Sequence, residues 1–186
     1  CNFADEIAYN NHDVDDGLRS GLISLDELDG VGLFARHVAV VRSVYPDIAG
    51  RRLIHETIRR MINELVCDMI EKTTGNIAKH DPKTLAEARL GLPLVGFSNE
   101  LREAQRELKR FLRRNLYQHY EVLRMTSKAQ RIVSDLFAAF ISAPRMLPPQ
   151  FQDEANQPRR VADYVAGMTD RYAMKEHRRL FAVGEI

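Results

Sequence analysis

The feature that most constrains this chain is the spacing of its apolar residues, which recur every three or four positions along most of its length. The clearest example is the segment 50–79, whose apolar positions include Leu53, Ile54, Ile58, Met61, Ile62, Leu65, Val66, Met69 and Ile70. This spacing places the side chains on one face of an α-helix, whereas a half-buried strand requires strict alternation. No comparable alternation occurs in the sequence, so we predict an all-α fold.

The same periodicity, together with proline and capping residues, predicts where the other helices begin and end. We expect helices at 2–20, 28–44, 98–142 with a break near Asn115, and 159–181 with a hinge at Gly167. Pro46 ends the second of these, and Ser98 and Thr169 are predicted N-caps. The segment 81–97 is irregular, and its last six residues, LPLVGF, are interpreted as an extended stretch. Met61, Met69 and residues 136–140 are predicted to lie in the core.

Composition restricts the class of protein. The chain has 186 residues, 45% of them hydrophobic, and a net charge of +1. These values are typical of one globular domain or part of one, because that length suffices for a sizeable core. Two cysteines, Cys1 and Cys67, form no disulfide framework or metal-ligand motif, which favours a reducing, cytoplasmic setting. No apolar run is long enough to cross a membrane, so we predict a soluble protein.

The first predicted helix carries two distinct faces. Phe3 and Ile7 lie on a core-facing stripe with Val14 and Leu18. Asp5, Tyr9 and Asp13 step by four residues along nearly the opposite side, and therefore form one ladder of side chains. Such a ladder is either an ordinary solvated face or a ligand site. In a ligand site, one carboxylate would bind a divalent metal while the tyrosine and second carboxylate would contact sugar hydroxyls.

A basic strip occupies the helix predicted from Ser98. Its members are Arg102, Arg106, Lys109, Arg110, Arg113 and Arg114. If the helix continues, Lys109, Arg113 and Tyr117 share one row of side chains. Clustered cations of this kind suit a triphosphate. The plain alternative is a solvated face whose charges are balanced by Glu100, Glu103 and Glu107.

Three stretches resemble a known family. The sequences ADEIAYNNHDVDDGLRSGLI, RRNLYQHYEV and DYVAGMTDRYA are similar to motifs of the bacterial deoxyguanosinetriphosphate triphosphohydrolase-like family, within the HD-domain superfamily. The resemblance spans essentially the whole chain and implies a multi-helical HD-domain-like bundle. It also implies metal-dependent hydrolysis of deoxynucleoside triphosphates to deoxynucleoside and inorganic triphosphate, with water attacking the α-phosphorus. The implied cofactor is Mg²⁺, Mn²⁺ or a similar divalent ion.

In this family a histidine, a His-Asp pair and a distant aspartate hold the metal. Only the last matches this chain, at Asp5. The other three ligands and the catalytic acid or base are expected upstream of Cys1. Residues 1–186 would then be the C-terminal part of a longer enzyme, and we expect the fragment alone not to turn over substrate.

The resemblance also implies substrate contacts. Tyr9 would lie along the deoxyribose, and Asp13 would accept a hydrogen bond from the 3′-hydroxyl. Tyr117 would pack against C2′, where a ribose hydroxyl would clash, with Gln118 beside it. Lys109 would contact the triphosphate.

Two further residues, the expected partners and the alternative functions complete the predictions from the sequence. Glu6 stands where some relatives carry a lysine, and no role is assigned to it, whereas His119 is a candidate phosphate contact. Relatives form homo-oligomers, and a single-stranded nucleic acid or a nucleotide is a candidate effector. The alternative function is a helical nucleic-acid-binding module that uses the basic strip at 102–114. A third hypothesis is a purely structural helical scaffold.

Overall fold

A computed structural model of the chain describes residues 2–89, 93–152, 156–182 and 184. Within these residues all regular structure is helical and no strand occurs. The helices are α1 (Asn2–Ser20), α2 (Leu25–Leu28), α3 (Gly32–Val44), α4 (Gly50–His80), α5 (Leu85–Arg89), α6 (Asn99–Leu112), α7 (Tyr120–Ser142), α8 (Gln157–Ala166) and α9 (Asp170–Phe181). A π-helical segment, Arg113–Tyr117, follows α6, and short 3₁₀ turns lie at Pro144–Met146 and Pro149–Phe151. The all-α prediction is confirmed.

The first half of the chain follows the predicted boundaries with one exception. Helix α1 covers the predicted range and ends before Gly21, whose φ of +75° suits glycine at a helix C-terminus. Helix α4 is one residue longer than predicted. The helix predicted at 28–44 is instead two helices, α2 and α3. Ser24 caps α2 in a reciprocal capping box with Glu27, so the chain begins a helix earlier than apolar spacing suggested.

The second half also agrees with the predicted caps and breaks. The Ser98 hydroxyl accepts a hydrogen bond from the Leu101 amide at 3.3 Å, and that of Thr169 accepts one from the Tyr172 amide at 3.3 Å. The predicted break near Asn115 lies inside the π-helical segment. Of the stretch interpreted as extended, Leu92 lies outside the described residues, and 93–97 contains no strand.

The chain divides into two compact units, Cys1–His119 and Tyr120–Ile186. The core of the first unit is formed by α1, α3, α4 and α6, with Met61 fully buried and Met69 packed against the core. Phe3 of α1 meets Phe97 edge to face, with 5.5 Å between ring centroids. These contacts set α1 against the start of α6, which positions the polar residues that follow.

The second unit has its own core, built from α7, α8 and α9. Leu136 and Phe140 are fully buried there, as predicted, together with Val161. The prediction was wrong for Phe137 and Ala138, which are exposed because they lie on the outer face of α7. Across the α8–α9 join the hydroxyls of Tyr164 and Tyr172 lie 3.1 Å apart. In the described part of the chain, no helix is both long and apolar enough to cross a lipid bilayer.

Candidate functional site

A buried pair of amides joins α1 to α6. The Asn10 side chain donates a hydrogen bond to the Gln105 side-chain oxygen at 3.0 Å, and the two residues are 6% and 2% exposed. An amide buried this far costs free energy unless it is hydrogen-bonded, so the two residues depend on each other. The apolar stripe of α1 did not indicate this pair, because Asn10 is a polar residue on the buried side.

An ion pair lies on the same two helices. The Lys109 ammonium is 2.7 Å from a carboxylate oxygen of Glu6, with both side chains partly exposed. Glu6, to which the sequence assigned no role, therefore neutralises the lysine that the family resemblance places on the triphosphate. Their partial exposure means that solvent screens the pair.

The phenol of Tyr117 donates a hydrogen bond to the carboxylate of Asp13. The pKa of Tyr117 is raised to about 12, chiefly by partial burial and to a smaller extent by the hydrogen bond to Asp13. The tyrosine therefore remains a neutral donor at physiological pH. The resemblance implied that Asp13 accepts from a sugar hydroxyl, and the structure adds a protein donor. A carboxylate has acceptor capacity for both bonds.

The π-helical segment determines where Tyr117 and Gln118 lie. The Gln118 amide donates to the Arg113 carbonyl at 3.1 Å, a bond that spans five residues instead of four. Leu112 and Leu116 are buried in the core on the inner side of this turn. The wider turn thus leaves Tyr117 and Gln118 on the outer side, both exposed. Single wide turns of this kind are frequent at functional sites.

These residues surround an open pocket of about 470 Å³. It is lined by Asn10, Lys109, Leu112, Arg113, Tyr117 and Gln118. Three of the predicted substrate contacts, Lys109, Tyr117 and Gln118, therefore lie around one space, and Asp13 borders it through Tyr117. Asn10 and Arg113 were not assigned to the site from the sequence. The sequence did indicate that Arg113 shares a surface with Lys109 and Tyr117, because the three residues are spaced four apart.

The other two predicted residues of α1 lie outside the lining of this pocket. Tyr9 is 69% exposed, and Asp5 is exposed in the first turn of the helix. The predicted ladder of Asp5, Tyr9 and Asp13 is therefore present on α1, and its last member, Asp13, contacts the π-helical segment through Tyr117.

The chain is similar to known proteins over its whole length. The family model described as a phosphohydrolase-associated domain matches residues 95–179, a range that includes α6, the π-helical segment, α7, α8 and most of α9. A deoxyguanosinetriphosphate triphosphohydrolase-like protein of Azoarcus sp. is 59% identical over 100% of this chain and 50% of its own length. A protein of the same name from Ralstonia nicotianae is 56% identical over 98% of this chain and 48% of its own length. Another, from Nitrosomonas europaea, is 51% identical over 100% of this chain and 50% of its own length.

The chain belongs to the deoxyguanosinetriphosphate triphosphohydrolase-like family. The resemblance drawn from the three sequence motifs is therefore confirmed. The chain spans about half the length of the curated relatives it matches. The pocket between α1 and the π-helical segment therefore lies in a member of that family.

The metal that the family resemblance implies does not fit the residues described here on their own. Asp5 is one exposed carboxylate, and no cluster of three or more His, Cys, Asp or Glu side chains able to hold a metal occurs in 2–89, 93–152, 156–182 and 184. A catalytic metal ordinarily takes three protein ligands in addition to water or substrate. The described residues of this chain therefore do not form a metal site by themselves.

The basic strip on α6 is partly neutralised. Arg106 and Arg110 both pair with Glu103, at 3.3 and 3.1 Å, and these contacts lower the pKa of the Glu103 carboxyl, with Arg110 contributing first. Arg102 donates to the Phe97 carbonyl at 3.4 Å. The strip is therefore not a continuous row of free cations, and the positive charge next to the pocket comes from Lys109 and Arg113.

Proposed function

We propose that the full-length protein hydrolyses deoxynucleoside triphosphates, dGTP or a close relative, to a deoxynucleoside and inorganic triphosphate, and that it requires a divalent metal such as Mg²⁺ or Mn²⁺. The observation that carries the proposal is the pocket where Lys109, Tyr117 and Gln118 meet beside Asp13. It combines cationic, aromatic and acceptor groups, which are the groups that a phosphorylated sugar requires. The relatives are named as deoxyguanosinetriphosphate triphosphohydrolase-like proteins, which supports the same substrate class.

In this proposal the sugar lies against α1 and the π-helical segment. The Asp13 carboxylate accepts from the 3′-hydroxyl while it holds the Tyr117 phenol. The Tyr117 ring fills the space next to C2′, and Gln118 lies beside it. Tyr9 lies along the deoxyribose on its open side. The site thus recognises a 2′-deoxy sugar by shape, because the ring leaves no room for a further hydroxyl.

The reaction adds water to the α-phosphorus and breaks its bond to the 5′-oxygen, which takes up a proton and leaves as the 5′-hydroxyl. Lys109 contributes positive charge next to the triphosphate. Asp5 would supply one metal ligand, and the remaining ligands would come from the part of the enzyme outside this chain. We accordingly propose that the chain alone binds nucleotide weakly and does not turn it over.

The test is product analysis with the full-length protein. Incubation with dGTP and Mn²⁺ or Mg²⁺ is expected to release deoxyguanosine and inorganic triphosphate in equal amounts, and no turnover is expected from the 186-residue chain. Release of diphosphate or monophosphate instead would contradict the assigned reaction. Activity of the isolated chain equal to that of the full-length protein would contradict the assignment of the metal ligands outside it.

A further inference from the structure

Two cations line the pocket, and their surroundings differ. Lys109 lies 2.7 Å from the Glu6 carboxylate. Arg113 is exposed and makes no ion pair within the described residues. It begins the π-helical segment, and its carbonyl accepts the Gln118 amide, so its backbone is held while its side chain carries an unbalanced charge.

We propose that Arg113, and not Lys109, is the principal phosphate-binding residue of this pocket. The inference rests on the proposed function, because it assigns the triphosphate of that substrate to Arg113, which the sequence placed in the basic strip but which the family resemblance did not name as a substrate contact.

The charge balance supports this choice. A phosphate oxygen that approaches the Lys109 ammonium also approaches the Glu6 carboxylate bound to it, and like charges at that range repel. Phosphate binding by Lys109 thus requires either displacing Glu6 or accepting a negative neighbour. Arg113 imposes neither condition, because no carboxylate pairs with it in the part of the chain that the structure describes.

The chemistry of the side chains points the same way. A guanidinium presents several N–H donors in a planar fork and binds two phosphate oxygens at once, whereas an ammonium acts as a point charge. In the π-helical segment Arg113 lies one turn before Tyr117, so both residues line the same pocket. A nucleotide whose sugar contacts Tyr117 would therefore place its phosphates within reach of Arg113.

The neighbouring residue provides a matched control. Arg114 has the same charge, belongs to the same π-helical segment and is exposed, but it does not line the pocket. Replacing either arginine removes one positive charge from the same surface, so general electrostatic effects are equal. Only Arg113→Gln removes a donor from the pocket, and its backbone bond to Gln118 is unchanged because that bond uses the carbonyl.

The experiment measures binding of the two products, inorganic triphosphate and deoxyguanosine, to full-length protein by titration calorimetry. Arg113→Gln is expected to weaken triphosphate binding by about tenfold or more and to leave deoxyguanosine binding within about twofold, since only the phosphate contact is lost. Arg114→Gln is expected to change neither by more than about twofold. Arg113→Lys should fall between wild type and Arg113→Gln, because it keeps the charge but not the fork.

Two further variants examine Lys109. Glu6→Gln is expected to tighten triphosphate binding by about two- to fivefold, because it releases the lysine from its competitor. Lys109→Gln is expected to weaken triphosphate binding less than Arg113→Gln does. An equal or larger loss in Lys109→Gln would overturn the inference, as would equal effects of Arg113→Gln and Arg114→Gln. Melting temperatures within a few degrees of wild type would show that each variant is folded.

The wild-type protein separates failure of this inference from failure of the proposed function. If wild type releases triphosphate from dGTP but Arg113→Gln binds triphosphate as wild type does, the assignment of Arg113 is wrong and the proposed function stands. If wild type neither hydrolyses a deoxynucleoside triphosphate nor binds either product, the proposed function itself is wrong.

Discussion

The Tyr117 hydroxyl donates a hydrogen bond to the carboxylate of Asp13, a residue 104 positions earlier in the chain. The bond joins α1 to the π-helical segment at the edge of the pocket. It gives one tyrosine two tasks, because the hydroxyl holds Asp13 in place while the ring borders the space assigned to the sugar.

Truncating Tyr117 is expected to relax selection for the deoxy sugar. Tyr117→Ala in the full-length protein should weaken dGTP binding by about 1–3 kcal/mol through loss of an aromatic contact. It should raise kcat/KM for GTP relative to dGTP, because the ring no longer excludes the 2′-hydroxyl. Steady-state kinetics with both nucleotides measures the ratio.

Tyr45 provides the control for this variant, since it is 49% exposed compared with 46% for Tyr117 and does not line the pocket. Tyr45→Ala is expected to leave the ratio unchanged. If Tyr117→Ala folds and also leaves the ratio unchanged, Tyr117 does not contact the sugar.

The Tyr117 phenol is expected to ionise at a pH about two units higher than an ordinary tyrosine does. Its folded pKa is raised to about 12, from an unfolded value near 10, by partial burial and then by Asp13. Because the folded state holds the proton more tightly, the resulting stabilisation is complete below about pH 10 and is lost as the pH rises through 12. The ultraviolet phenolate absorbance of wild type minus that of Tyr117→Phe isolates this group.

Asp13→Asn tests the cause of that shift. The midpoint should move to lower pH, because the carboxylate no longer favours the protonated phenol, but it should stay above 10 since burial remains. A midpoint unchanged by Asp13→Asn would show that the hydrogen bond contributes nothing to the shift.

The buried amide pair is expected to stabilise the packing of α1 on α6. Asn10→Ala and Gln105→Ala each leave one buried amide without its partner, so each should lower the free energy of unfolding by about 1–3 kcal/mol. The double variant should cost less than the sum, with a coupling of about 1 kcal/mol. Urea unfolding measures all three. Asn99→Ala, an exposed amide on α6, is the control and should stay within about 0.5 kcal/mol of wild type.

Replacing Asp5 is expected to abolish turnover without unfolding the protein. In the full-length protein Asp5→Ala should retain less than about a thousandth of wild-type activity and bind metal more weakly, since a ligand is lost. The fold should survive because Asp5 lies on the exposed side of α1. Asp16→Ala removes another exposed carboxylate from α1 and should keep nearly full activity. Hydrolysis by Asp5→Ala near the wild-type rate would remove Asp5 from the metal site.

Most of the helical structure follows from short-range features of the sequence. Apolar spacing every three or four residues determined α1 and α4, and hydroxyl caps at Ser98 and Thr169 marked the starts of α6 and α9. These signals are local because a helix satisfies its backbone hydrogen bonds within four residues. Apolar spacing did not predict α2, because that helix begins at a capping box formed by Ser24 and Glu27.

The candidate site follows partly from the sequence and partly from the tertiary structure. The sequence by itself predicted Asp13, Lys109, Tyr117 and Gln118 as substrate contacts, because its motifs resemble those of a known family. Only the tertiary structure decided that Tyr117 bonds Asp13, that Glu6 neutralises Lys109 and that Asn10 pairs with Gln105 across 95 positions. The physical reason is that these contacts join helices far apart in the chain. They arise where the packed core brings α1 against α6, and no local pattern records which side chains will then face each other.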